Sequence, residues 1–277
     1  MSPTGALVLV ATPIGNLGDL SGRAVEELTR ADAIACEDTR RTGRLLAHAG
    51  VTGRKLLVVN DHTEAAAGRD VLARLDRGER VAVVTDAGTP GVSDPGERLV
   101  RLAAAAGHRV EVVPGPSAAI AALVISGLPT GRWVFEGFLP RRGSGRTERL
   151  AELAGESRTI VLYEAPHRLA RTLADLAGAL GGTRQVVVAR ELTKLHEEVW
   201  RGTLAGAVER AAGSEPRGEH VLVVAGAPPA AGATDEELAA ALAEAREGGR
   251  STRDAVALVA ARFGAPRRRV YDLATRT

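Results

Sequence analysis

Cysteine is almost missing from this chain: Cys36 stands alone, which excludes an intrachain disulfide and any paired-cysteine metal site and suits a reducing cytosol. Aromatic residues are just as sparse, with three Phe, two Tyr and two Trp in 277 residues, so the core has to be built from Ala, Val and Leu. Lysine is scarcer still. Of 36 basic residues all but Lys55 and Lys194 are arginine. Long apolar runs are absent too. The longest, Ala118 to Ile125, is far short of a membrane span, and the leading MSPTGALVLVATPIG has no basic region ahead of its apolar stretch. These absences read as a soluble cytoplasmic protein with no membrane partner. Missing as well are the usual nucleotide and metal fingerprints. No G-x-G-x-x-G follows a strand, no phosphate loop precedes a lysine, and no H-E-x-x-H occurs, so no metal is expected.

What is present is a regular alternation. Ala6–Ala11, Ala33–Cys36, Leu56–Val59, Val81–Val84 and Val110–Val113 read as short buried strands. Helical patterns at Ala24–Arg30, Arg44–Ala49, Ala66–Asp76 and Glu97–Ala106 separate them, which predicts βαβ units and a parallel sheet. A second series begins at Trp133, with strands near Val134–Phe138, Thr159–Tyr163, Gln185–Arg190, Glu198–Gly202 and His220–Val224 and helices near Arg149–Leu153 and Leu169–Leu180. The short connection inside Arg190–Thr203 predicts an antiparallel pair, hence a mixed second sheet. The expected organisation is an α/β domain over residues 1–127, a second over 128–226, a small-residue linker at 227–233 and a basic appendage over 234–277. In that appendage Thr234 and Glu237 form a capping-box pattern, and three short helices with Gly264 between the last two predict a helix-turn-helix-like tail. From Arg250 onward seven arginines face two aspartates, mostly on the last helix, a pattern suited to nucleic acid.

Eleven residues, DAGTPGVSDPG (86–96), follow the strand Val81–Val84, far more than a turn requires. Asp94 is expected to cap the next helix with Pro95 at its first position. The loop then lies at the carboxyl end of a parallel strand, where ligands bind in open α/β sheets. ATPIGNLGDLS (11–21) and PGPSAA (114–119) fall at the same edge. Three turn-rich loops together point to an extended small molecule held largely by backbone.

The segments VATPIGNLGDLS, ACEDTRRTGRLL, DHTE, VVTDAGTPGVSDPG, VPGPSAAIAAL, GLPT, FEGFLPRR, YEAPHR, RELTK and GEHVLVV follow one another in this order. On these motifs, from about Leu7 to Val224, the chain resembles the small-subunit ribosomal RNA methyltransferase I family, cytidine 2′-O-methyltransferases of the tetrapyrrole-methylase fold. The resemblance implies two α/β domains, S-adenosylmethionine (AdoMet) as methyl donor in the cleft between them, and a homodimer. It implies that Gly88, Thr89, Pro90, Val92, Ser117, Ala118, Tyr163 and Leu192 border the cofactor, with Pro13 near the reaction centre. The partner would be small-subunit ribosomal RNA or the assembled 30S subunit.

Methyl transfer to a ribose hydroxyl needs alignment and help as the hydroxyl proton leaves. Lys194 is the candidate to stabilise the developing alkoxide, its compact charge suiting that task better than a guanidinium. Glu37 or Asp38 could take the proton or orient that lysine; as strand-end acids they could equally cap the next helix. Asp61, His62, Glu64 and Glu191 complete the titratable set at strand ends. Arg40 and the arginines of the glycine-bearing loop RRGSGR, Arg141, Arg142 and Arg146, are expected to contact RNA phosphates, as are Arg267, Arg268 and Arg269 of the tail. Two other readings stay open: a methylase of the same fold acting on a small acceptor, and a non-catalytic RNA-binding protein. A small acceptor needs neither basic segment, and the last would bind no AdoMet.

Overall fold

The computed structural model describes residues 5–59, 64–213, 217–228 and 233–276. It divides into two compact units, Met1–Gly226 and Ala227–Thr277. Asp61 and His62, together with the Glu64 side chain and residues 229–232 of the expected linker, lie outside what is described.

The first half of the larger unit alternates short strands with helices: β1 (Ala6–Val10), α1 (Gly22–Arg30), β2 (Ala33–Cys36), α2 (Thr39–His48), β3 (Lys55–Val58), α3 (Glu64–Asp76), β4 (Arg80–Val83), α4 (Glu97–Ala105), β5 (Arg109–Val113) and α5 (Ala118–Ser126). The five strands form one parallel sheet in the order β3-β2-β4-β1-β5. Period-two alternation gives each face its own core. Ala6, Val8, Val10, Ile34, Ala82 and Val84 pack under Ala24 and Leu28 of α1 and Leu46 of α2, while Leu7, Ala35, Val81 and Val83 meet Val71 and Leu75 of α3 and Leu99 of α4. Cys36 is buried in the first of these layers, and burial pushes its thiol up.

The second half comprises β6 (Trp133–Phe138), α6 (Ser144–Ala154), β7 (Thr159–Glu164), α7 (Pro166–Leu180), β8 (Gln185–Arg190), β9 (Glu198–Thr203), α8 (Leu204–Ala212) and β10 (His220–Val224). Its sheet runs β6-β7-β10-β8-β9, parallel only between β6 and β7. One face packs on α6, α7 and α8 through Leu153, Leu173, Leu176 and Leu204. The other receives α5, whose Ala119, Ala122 and Leu123 lie against Val161, Val187, Val221 and Val223. So the last helix of the first half covers the second sheet, and it stops at Gly127 in the left-handed region.

Two local expectations are corrected. Asp94 does not cap α4, which starts three residues later with Gly96 at the N-cap (φ 133°), because the Pro95 carbonyl accepts the Gly91 N–H and the chain turns once more before the helix. RRGSGR is not wholly a loop: α6 begins at Ser144, right after Gly143 at φ 86°.

The smaller unit is three helices, α9 (Asp235–Glu247), α10 (Thr252–Phe263) and α11 (Arg267–Arg276), closed around Leu238, Leu242, Val256, Val259 and Val270. The Thr234/Glu237 capping box is formed, and Gly264 ends α10 in the left-handed region.

Candidate active site

Neighbouring strands bring their loops together. Because β1 and β4 are adjacent, the chains leaving their carboxyl ends run side by side and join where Thr12 and Gly88 exchange backbone hydrogen bonds of 2.8 and 3.1 Å. Gly88 sits at φ 82°, a conformation open to glycine at no steric cost. The Thr12 hydroxyl donates to the Thr85 carbonyl and the Thr89 hydroxyl to the Pro116 carbonyl, tying in the loop after β5. Above this floor stands a cavity of about 360 Å³. Its near wall carries Glu37 from the end of β2, Gly88, Thr89, Val92 and Asp94 from the loop after β4, and Ser117 and Ala118 at the start of α5. Its far wall comes from the second sheet, with Phe138, Tyr163, Leu192, Lys194 and Glu219.

Tyr163 joins the walls. Its hydroxyl accepts the Ala119 N–H (3.1 Å), satisfying an otherwise free donor of α5, and its ring meets Phe135 and Phe138 edge-on at 5.0 and 5.7 Å. Burial pushes its phenol up, so it stays a neutral hydroxyl.

Lys194 is clamped. Its Nζ lies 2.8 Å from Glu191 Oε1 and 2.6 Å from Glu219 Oε2, and Glu191 also accepts the Glu219 N–H. Burial works against the ammonium, but the two carboxylates outweigh it and hold the lysine above its ordinary value. Burial likewise raises Glu191, yet the bonds from Lys194 and the Glu219 backbone bring it below the usual carboxylate range. The segment carrying Lys194 is strained, with Glu191 at φ 51° and Thr193 at φ 67°. It crosses Gly15 so closely that a Cβ there would stand 2.4 Å from Lys194 Cγ.

Acids dominate the rest. Asp86 pairs with Arg41 at 3.3 Å through one oxygen, and its buried Oδ1 has no donor among the described residues. Burial, and then Glu37, Asp86 and Glu219 around it, push Asp94 up to about 7. Glu164 is spent inside the fold on the Ala165 N–H, Thr172 and Arg168.

Of the expected cofactor residues, Gly88, Thr89, Val92, Ser117, Ala118, Tyr163 and Leu192 line this cavity together with Glu37 and Lys194. Pro13 lines a neighbouring hollow, which shares Arg41 and Asp86 with the main cavity, and Pro90 is buried lining neither. Asp38 is also outside: its carboxylate caps α2 through the Arg40 N–H (2.7 Å) and pairs with the Arg40 guanidinium, whose hydrogen bonds hold it below the usual range. Arg141 and Arg142 are exposed just ahead of α6. Arg146 is the clear departure. It is buried, donating to Asp175, the Pro140 carbonyl and Thr172, because the first turn of α6 points it inward, and it has no free face for a phosphate. In the tail, Arg267 and Arg268 are exposed, whereas Arg269 pairs with Asp235 and bonds the Ala233 carbonyl. Sequence reasoning passes over Arg41, Asp94, Phe138 and Glu219 as cavity groups. A signal exists for Phe138, one of three phenylalanines and shortly ahead of the exposed arginines.

Among the described residues no cluster of metal-ligating side chains occurs, and no helix is long and apolar enough to cross a membrane.

Residues 6–208 match the model of the tetrapyrrole (corrin/porphyrin) methylases, and residues 232–276 match the RsmI C-terminal HTH domain. Ribosomal RNA small subunit methyltransferase I of Synechocystis sp. is 48% identical over 271 residues, 97% of each chain. The protein of that name from Mycobacterium tuberculosis is 45% identical over 274 residues, 97% of this chain and 94% of that one. Among solved structures, uroporphyrin-III C-methyltransferase from Thermus thermophilus, complexed with S-adenyl homocysteine, superposes with a TM-score of 0.55 at 20% identity, over 79% of this chain and 96% of that one.

Proposed function

This chain belongs to the ribosomal RNA small subunit methyltransferase I family of the tetrapyrrole methylases, and from that premise we propose that it moves a methyl group from AdoMet to the 2′-oxygen of a cytidine in small-subunit ribosomal RNA. The observation that carries this reading is the two-walled cavity with a clamped cation at one side and carboxylates around the other. AdoMet fits its chemistry. The donor has an ammonium and a sulfonium, and the lining offers Asp86 Oδ1, a buried acceptor with no donor among the described residues, beside further acids and the apolar Ile14, Ala118, Leu192 and Val221. When bound, it supplies a methyl carbon made electrophilic by the positive sulfur.

The protein's own groups do the rest. The loops after β1, β4 and β5 hold the donor by backbone and small side chains, which fixes orientation, a contribution of several kcal/mol (about 7–11 at best) to such transfers. Lys194, kept charged by Glu191 and Glu219, faces the oxygen as negative charge develops on it. Phe138, about half exposed at the cavity lining, offers an aromatic face to the acceptor's base. Arg141 and Arg142 follow β6 closely and hold phosphates, and Arg267 and Arg268 of α11 do so from the tail. These exposed arginines favour RNA over a small acceptor. The homodimer reading is supported by Val110 and Val112 on edge strand β5 and Ile120 and Val124 on α5, all apolar and exposed. A reducing cytoplasm remains the proposed location.

Transfer of labelled methyl from AdoMet to isolated small subunits, followed by nucleoside analysis, tests the proposal. The expected product is 2′-O-methylcytidine. Label in a base, or label only in a small-molecule acceptor, refutes it.

A further inference from the structure

We propose that the outer face of α11 grips single-stranded RNA, with Tyr271 stacked on an unpaired base and Arg267 and Arg268 on the phosphates beside it, an inference that rests on the functional reading above. Phosphate contacts alone hold any RNA in place. An aromatic face among them adds a demand, because a base stacked inside a duplex cannot reach it. Only two tyrosines occur in the chain, and Tyr163 is spent on the Ala119 N–H. Tyr271 is 54% exposed, and among the described residues neither its hydroxyl nor its ring has a polar or aromatic partner.

The helix places the three side chains together. At 3.6 residues per turn, Val270, Leu273 and Ala274 face the core of the smaller unit, which leaves Arg267, Arg268, Tyr271 and Thr275 on the other side. Tyr271 follows the two arginines by four and three positions, so it is the surface neighbour of both, one turn along. Arg269 falls on the flank, where Asp235 and the Ala233 carbonyl hold α11 to the start of α9. Packing and this pair together fix the exposed row.

The charges of that row run against the needs of the helix. The first turn of a helix carries a partial positive charge and is stabilised by acids. α9 follows this rule with Asp235, Glu236 and Glu237, and α10 with Asp254. α11 has no acid there and begins with three arginines in succession. Among the described residues neither Arg267 nor Arg268 has an ion pair. Two cations without a counter-charge at the positive end of a helix destabilise it, and an incoming anion relieves that repulsion. A phosphate also uses the planar guanidinium fork, which lysine lacks. Asp272 is the single acid of the helix, so a strand approaching its first turn meets a net positive face. The arginines alone ask for an anion. The ring one turn on asks for a base joined to it.

The test uses the full chain and a short RNA of mixed sequence carrying 5-iodouridine. Irradiation is expected to join the RNA to Tyr271, read by mass spectrometry of the tryptic peptide that follows Arg269. Affinity is then titrated by fluorescence anisotropy in an Arg141→Ala/Arg142→Ala background, so that the arginines after β6 do not mask the tail. Tyr271→Ala should weaken binding of the single strand by about 5- to 100-fold at an unchanged slope of log K against log salt. Tyr271→Phe should stay within about twofold of its parent. Arg267→Ala/Arg268→Ala should flatten that slope by about 0.7 for each phosphate released and melt no lower than its parent. The same sequence as an RNA or DNA duplex should bind more weakly than the strand and be indifferent to Tyr271→Ala. A Tyr271→Ala protein within about twofold of its parent, adducts on other residues only, or an equal loss on the duplexes overturns the proposal alone. A protein that methylates no small subunit, while its Tyr271 variants behave as stated, overturns the functional reading and leaves the strand-binding face standing.

Discussion

Replacing Arg146 by alanine separates two accounts of the same arginine. The sequence places it in a glycine-bearing basic loop, fit for phosphate, while the structure buries it with three hydrogen bonds of 2.8–2.9 Å. One runs to Asp175, one to the Pro140 carbonyl, and one to Thr172, whose hydroxyl in turn donates to the buried Glu164 next to Tyr163. Truncating one member of a buried, hydrogen-bonded charge pair costs about 3–5 kcal/mol. Here the Asp175 side chain is 32% exposed and can rehydrate, which discounts that cost to about 2–4 kcal/mol. A body of this size shifts by about 2–4 °C per kcal/mol, which places the melting temperature of Arg146→Ala roughly 5–15 °C below wild type. Differential scanning calorimetry measures it. Arg141→Ala is the control, since it removes the same charge from an exposed position and should melt with wild type. An Arg146→Ala protein that melts with wild type but binds RNA more weakly would refute the burial argument and return Arg146 to the phosphate-binding set.

Three further outcomes are expected. The double variant Arg141→Ala/Arg142→Ala should weaken binding to a small-subunit RNA fragment and reduce the slope of log K against log salt by about one for each phosphate no longer neutralised, read by titration at several salt concentrations. Lys194→Met should lower kcat by about 10²–10³ with AdoMet affinity nearly unchanged, while Lys194→Arg recovers only part of it; single-turnover kinetics and calorimetry separate the two effects. His220 is buried on β10 with Nδ1 unpartnered among the described residues, and burial first, then Arg190, lowers its pKa. Its unfolded form therefore binds the proton more readily, so wild type should lose stability as pH falls below about 6.5, and His220→Gln should show a flatter melting profile over that window.

Strand positions are legible because Val-rich runs of four to six residues bounded by turns have few other solutions, and the mixed second sheet follows from the short link between β8 and β9. α8 is not legible. LAGAVERAA is brief, carries Gly206 and starts directly after Thr203, the last residue of a strand, so nothing in the local pattern separates the two elements. The start of α4 misleads because Asp-Pro is a strong helix-opening signal, and only the Gly91–Pro95 hydrogen bond reveals the additional turn. At the site, the near wall can be anticipated, since each loop announces itself by glycine and proline after a strand. The far wall cannot. Tyr163 meets Ala119 across 44 positions, and Lys194 meets Glu219 across 25, pairings that depend on which strands neighbour which. Arg146 shows the same limit on a smaller scale, where two residues of helix onset decide between solvent and core.

The near-complete substitution of arginine for lysine has a practical side. Besides the backbone's own amino terminus, only two primary amines exist for acylating reagents to find, and they differ sharply in circumstance. Lys55 stands in water on an outer strand, whereas the other is gripped by two carboxylates in the lining of the candidate cavity. Mild acetylation followed by mass spectrometry thus amounts to a two-channel footprint, one channel serving as internal reference and the second registering whatever enters or leaves that cavity, with no label engineered in.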